Sequence, residues 1–124
     1  MGPKARVATV ALAAGVLGWT IEDLATGGPR YSKAFGGAHV PLLPVYAAGG
    51  AALALLAPRL RGRSLPVRAL AYALATTAIE AAAGSADRAV GGPPSWDYRG
   101  RTVEPMHTLA WTGLALLAEP FVAG

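Results

Sequence analysis

The sequence predicts an all-α integral membrane protein, a four-helix bundle made of two helical hairpins. Three observations carry this. The chain is 53% hydrophobic and 15% charged, against roughly 25% charged residues in ordinary soluble domains. Ala34 to Ala57 runs 24 residues without Lys, Arg, Asp or Glu, and a bilayer core takes about 20 apolar residues as helix. The 10 prolines and 16 glycines supply breaks for several short helices. At 124 residues the chain is one domain. The rival reading is a soluble Ala/Leu-rich bundle.

The first span runs from about Val7 to Ala25 and stops at Thr26-Gly27-Gly28-Pro29. Lys4 and Arg6 ahead of it give the outline of a signal peptide. No small-x-small site follows the apolar run, which favours an uncleaved helix. The second span runs from about Val40 to Ala57, closed by Pro58. The third runs from about Pro66 to Ala83, with proline suited to the first turn and Gly84-Ser85 near its end. The fourth runs from about Met106 to Val122, after Pro105. In lipid each must be helical, because a backbone group there has no water to bond.

Arg59, Arg61, Arg63 and Arg68 cluster around the short second connection. Basic residues concentrate on the cytoplasmic side of short loops, so the N-terminus and this connection are expected in the cytoplasm, and the protein in the cytoplasmic (inner) membrane as a multi-pass chain. The cluster is a topology signal, and no basic stretch is interleaved with aromatics as a nucleic-acid binder would need. With no cysteine there is no disulfide, thiol nucleophile or Cys-type metal site. No Gly-x-x-x-x-Gly-Lys-Ser/Thr phosphate loop occurs, so ATP hydrolysis by that route is excluded for this chain. Ser32, Ser64, Ser85 and Ser95 lack a nucleophile-elbow context. No cofactor is expected.

Ionisable residues within apolar spans are costly and mark sites. Glu22 closes a run of 15 uncharged residues, Val7 to Ile21, and Glu80 closes one of 11, Ala69 to Ile79. Asp97 stands between aromatics in Trp96-Asp97-Tyr98. In a four-span chain the first and third connections share a side. Glu22, Glu80, Asp97, Trp19, Tyr46, Trp96, Tyr98 and His107 would then converge in one half of the membrane, as a ligand- or ion-binding site requires. Glu22 and Glu80 can form a proton-sharing pair; equally, each can cap a helix, reach the interface, or bond a tryptophan or arginine. Trp96-Asp97-Tyr98 can present a carboxylate to a ligand or anchor the interface with Asp97 paired to Arg99 or Arg101. Trp19, Tyr46 and Trp111 also fit an aromatic belt. His107 follows Glu104 by three positions, but two histidines and no cysteine point away from a metal site. Glu119 reads as a span-end acid, and Asp23 and Asp87-Arg88 as solvated helix-end charges.

Small residues repeat at four-residue spacing: Ala11, Gly15 and Trp19 on one face, Ala14 and Gly18 on another, with Gly49-Gly50 in the second span. Such stripes let helices approach closely in lipid. Thr20-Ile21-Glu22 and Ala78-Ile79-Glu80 hint at a parallel repeat of the two hairpins.

Four patterns, Gly18-Trp19-Thr20-Ile21-Glu22, Pro41-Leu42-Leu43-Pro44-Val45-Tyr46, the isolated Glu80, and Trp96-Asp97-Tyr98, occur in an order that resembles the small bacterial membrane proteins grouped as ABC-transporter type IV. The likeness spans about residues 15–115. Ala47 stands where that family usually has glycine after the tyrosine. The resemblance implies a polytopic membrane protein, and any ATPase would be a separate partner. The expected function is therefore transport-related: a small subunit, a homo-oligomer or one joined to other membrane subunits, handling a cation, proton or small polar solute in the bilayer. The alternatives are an intramembrane enzyme using the glutamates as acid and base on lipid or isoprenoid substrates, and a structural or accessory subunit.

Overall fold

The computed structural model describes residues 2–25, 42–90 and 105–122. Four helices follow one another: α1 (Pro3–Ala25), α2 (Leu42–Leu60), α3 (Leu65–Val90) and α4 (Pro105–Val122). Among the described residues there is no strand. The fold is all-α.

Helix α1 starts four residues before the expected Val7. Pro3 takes its first position, where an amide would have no intrahelical partner anyway, and the Gly2 carbonyl accepts the Arg6 N–H at 2.9 Å. Lys4 and Arg6 limit an apolar span without limiting a helix. Helix α2 runs past Pro58, expected to close it, to Leu60. A proline this near the end removes a single amide from the ladder, and the Arg59 Nη1 donates to the Leu55 carbonyl at 2.6 Å. The turn that follows needs Gly62, whose φ is +81°, a conformation costing a residue with a β-carbon roughly 1–2 kcal/mol. The Arg63 N–H donates back to the Leu60 carbonyl at 3.0 Å.

Helix α3 continues seven residues beyond the expected Ala83 to Val90. Gly84 is buried within it, and the Ser85 hydroxyl donates to the Ala81 carbonyl at 2.9 Å. Back-bonding of this kind lets a serine sit inside a helix. Arg88 in the last turn complements the helix dipole. Helix α4 matches the expected fourth span to within one residue and keeps Pro120 in its last turn. The proposed repeat is not matched by helix length: Glu22 lies three residues from the end of α1, Glu80 ten from the end of α3.

Helices α1 and α2 share the most extensive contact; α3 packs on α4 and α2, and α2 also meets α4. The first hairpin is antiparallel and close. A β-carbon on Gly18 would lie 2.4 Å from Cγ and Cδ1 of Tyr46, and one on Gly50 would lie 2.5 Å from Ala14 Cβ and 2.8 Å from the Val10 carbonyl oxygen. Of the expected small-residue faces, Ala14 and Gly18 form this crossing, with Gly50 opposite.

The apolar core is small: Ala54, Ala57 and Val122, backed by Val7, Val10 and Leu53. Many large apolar side chains lie outside. Leu12, Leu17, Leu70, Leu74, Leu109 and Leu117 are all exposed, and Phe121 is 88% exposed. Among the described residues one helical stretch, Pro3–Ile21, is long and apolar enough to cross a membrane; it lies near the N-terminus, where signal sequences share that description. Pro44–Leu60 is apolar but shorter. Arg68, Thr76, Thr77 and Glu80 in α3, and His107 and Glu119 in α4, lower the apolarity of those two helices.

Candidate functional site

Helix α3 carries a polar side chain every four residues along the face it turns inward: Arg68, Tyr72, Thr76 and Glu80. Four-residue spacing keeps them on one side of the helix, and at 1.5 Å per residue the stripe is about 18 Å long. Tyr72 and Glu80 are buried, Glu80 to 6% exposure, while Leu70 and Leu74 on either side of Tyr72 are 60% and 62% exposed. Helix α4 answers with Thr112 and Glu119, both buried. The Thr112 hydroxyl is satisfied locally by the Thr108 carbonyl at 2.8 Å.

Near the α2–α3 turn, Glu119 of α4 accepts from two groups of α3. Arg68 Nη1 donates to Oε1 in an ion pair, and the Tyr72 hydroxyl donates to Oε2 at 2.5 Å. Glu119 does lie in the last turn of α4, as expected of a span-end acid, but it is buried and paired across to α3. Glu119 is 8% exposed, and a buried carboxylate is tolerable when each oxygen is bonded and a cation is adjacent. Arg68, counted with the loop arginines in the sequence, points instead into the bundle. Arg61 and Arg63 are exposed at the turn itself.

The other end of the stripe opens into a cleft of about 400 Å³ between all four helices. Gly18 and Ile21 of α1, Tyr46 and Gly50 of α2, Ile79 and Glu80 of α3, and Trp111 of α4 contribute to its wall. Both carboxylate oxygens of Glu80 are buried. Tyr46 and Trp111 meet ring to ring, with centroids 5.0 Å apart and planes at 60°, a tilted geometry suited to the ring quadrupoles. Glycine at position 18 is what allows the tyrosine ring to approach α1 this closely. Position 46 is 14 residues from the end of α2, and Glu80 is 15 from the start of α3. Both therefore stand about 21–23 Å from the connecting turn, at one level.

Of the expected site residues, Tyr46 and Glu80 come together in this cleft. Trp19 is half-buried, and its indole Nε1 is buried with no hydrogen-bond partner among the described residues. It does not line the cleft. His107 is exposed in the first turn of α4 and is also outside it. Glu22 belongs to the last turn of α1, one residue past the lining Ile21, but its side chain lies outside the described residues. Trp96, Asp97 and Tyr98 lie outside them too, so the expected convergence of Glu22 and Asp97 on Glu80 falls there. Among the described residues no group of three His, Cys, Asp or Glu is placed to hold a metal ion. Sequence reasoning missed the Arg68–Tyr72–Glu119 cluster and the part played by Thr76 and Trp111. The spacing 68, 72, 76, 80 was the available signal.

No family model, no curated protein and no solved structure matches the chain. The functional reading therefore rests on the residues themselves.

Proposed function

We propose that the chain is a small multi-pass protein of the cytoplasmic membrane, a transport-related subunit that handles a cation, proton or small polar solute at the Glu80 cleft. The observation that supports this most is the inverted burial. Leu12, Leu17, Leu70, Leu74, Leu109, Leu117 and Phe121 face outward, while Tyr72, Glu80, Thr112 and Glu119 face inward. In water this arrangement forfeits the hydrophobic effect: each outward leucine gives up about 1.5–3 kcal/mol available from burial. In lipid the outward leucines cost nothing, and the polar side chains have reason to turn inward. Exposed Arg61 and Arg63 at the α2–α3 turn favour that turn, and with it the N-terminus, on the cytoplasmic side. The apolar lining of the cleft favours, as a second reading, an enzyme acting on lipid or isoprenoid substrates.

The test is ion flux. Proteoliposomes of the full chain, loaded with a pH-sensitive dye and polarised with potassium and valinomycin, should pass protons or monovalent cations faster than empty vesicles. Glu80→Gln should abolish the difference. Flux equal to that of empty vesicles, with altered lipid composition in a deletion strain, would favour the enzyme. Neither effect would leave a structural subunit.

A further inference from the structure

The positive charge of the chain is gathered at one end of the bundle. Gly18 of α1 stands against Tyr46 of α2, and Val10 and Ala14 stand against Gly50. Val7 packs on the cluster that holds Ala57. Carried on in that antiparallel register, Arg6 falls level with Pro58 and Lys4 with Leu60. The start of α1 therefore meets the α2–α3 turn, where the Arg63 N–H bonds back to Leu60. The sequence has 11 Lys and Arg against 7 Asp and Glu. Six of the former are at this end: Lys4, Arg6, Arg59, Arg61, Arg63 and Arg68. Among the described residues its one acid is Glu119, and that carboxylate is engaged by Arg68 and Tyr72. The net charge of +4 has its source here.

Lys4, Arg59 and Arg63 are exposed. Arg59 uses one N–H on the Leu55 carbonyl, and a guanidinium has five. Leu55, Leu65 and Val67, within four residues of Arg59 or Arg63, are exposed as well. Such a cluster attracts anions in general, but few anions also cover leucine. Inorganic phosphate and nucleic acid bring phosphate without a hydrocarbon body. An anionic phospholipid brings a phosphate, which guanidinium binds in bidentate fashion, and acyl chains. A zwitterionic headgroup carries its own cation and gains less.

We propose that this end of the bundle binds anionic phospholipid headgroups, held by Lys4, Arg59 and Arg63, with the acyl chains along Leu55, Leu65 and Val67. This rests on the membrane reading of the chain and is independent of transport at the Glu80 cleft.

The experiment is native mass spectrometry of the full chain in dodecyl maltoside, with phosphatidylglycerol and phosphatidylcholine of identical acyl chains added at equal mole fraction. The protein should retain phosphatidylglycerol over phosphatidylcholine by about tenfold or more, since each basic residue near an anionic lipid surface contributes. Neutralising Lys4→Gln, Arg59→Gln and Arg63→Gln together should bring the two lipids to near-equal retention, and Arg63→Lys alone should keep most of the preference. Arg88→Gln, at the far end of α3, should leave it unchanged. Equal retention of the two lipids by the unaltered protein overturns the proposal without recourse to any variant. So does a preference that survives the triple change, or one that Arg88→Gln removes equally. Displacement of the lipid by water-soluble glycerophosphoglycerol at millimolar concentration would make the ligand a free phosphate ester, and displacement by a single-stranded oligonucleotide would make it nucleic acid; either overturns the lipid. Carbonate extraction reads the spans and is indifferent to headgroup, so a chain that stays in the membrane pellet and shows no headgroup preference overturns this proposal alone.

Discussion

Gly49 and Gly50 are neighbours in α2, yet a methyl group added to each should change stability in opposite directions. At Gly50 the new β-carbon would stand 2.5 Å from Ala14 Cβ, 2.8 Å from the Val10 carbonyl oxygen and 3.2 Å from Ala11 Cα. Carbon atoms rest at about 3.5–4.0 Å, so α1 and α2 must part by about 1 Å. Two of the three obstacles are backbone and cannot rotate away. Overpacking of this kind costs about 1–3 kcal/mol, and the upper end applies here. Alanine returns about 1 kcal/mol through helix propensity, leaving Gly50→Ala about 2 kcal/mol less stable. At Gly49 nothing lies within 4 Å of the added carbon. Gly49→Ala should keep the propensity gain and be stabilised by about 0.5–1 kcal/mol. The two variants should differ by roughly 3 kcal/mol. Helical circular dichroism, followed through a titration from dodecyl maltoside into dodecyl sulfate, reads the difference. If the two variants shift the transition alike, the close crossing of α1 and α2 through Gly50 is refuted.

Extraction tests the environment: alkaline carbonate should leave the protein in the membrane pellet, and release as a monomer would end the multi-pass reading. The chain has no cysteine, so single cysteines report topology directly. Gly2→Cys and Ser64→Cys should label from one side of sealed vesicles and Ser95→Cys from the other, and labelling of all three from one side would break the four-span order. Tyr72→Phe should cost about 1.5–3 kcal/mol in the same unfolding titration, since it removes a hydrogen bond to a carboxylate. Arg68→Met should cost more, towards about 3 kcal/mol, because it leaves Glu119 buried beside its tyrosine alone; a Glu119 cluster indifferent to both changes would be a surface feature.

Four helices and their order were legible in the sequence, because apolar runs and Pro/Gly breaks are local signals. The ends were less so. Gly84-Ser85 looks like a stop, but a serine that bonds back to Ala81 and a glycine facing inward continue a helix as well as they end one. Pro58 looks like a stop, but costs little when the helix has only two residues left to run. In the site, the charged Glu80 announced itself, whereas Tyr72 and Thr76 carry no charge and are joined to it only by spacing. The Tyr46–Trp111 contact links residues far apart in the chain, and nothing near either one encodes the other. Glu119 resembled a helix-end acid because its partners, Arg68 and Tyr72, belong to another helix.

The alternation along α3 also bears on how such a sequence can drift. Leu70 and Leu74 face outward, between inward-facing Arg68, Tyr72, Thr76 and Glu80. With the outer face in lipid, as proposed, one aliphatic residue there serves as well as another, so Leu, Val, Ile and Phe are interchangeable at small cost. On the inner face an exchange as mild as Tyr72→Phe or Thr76→Val removes a hydroxyl that nothing nearby replaces. Two descendants of this chain would therefore diverge fastest at their most hydrophobic positions and slowest at their hydroxyls. With the outer face in lipid, as proposed, a substitution table drawn from water-soluble proteins would rank the two faces in the wrong order.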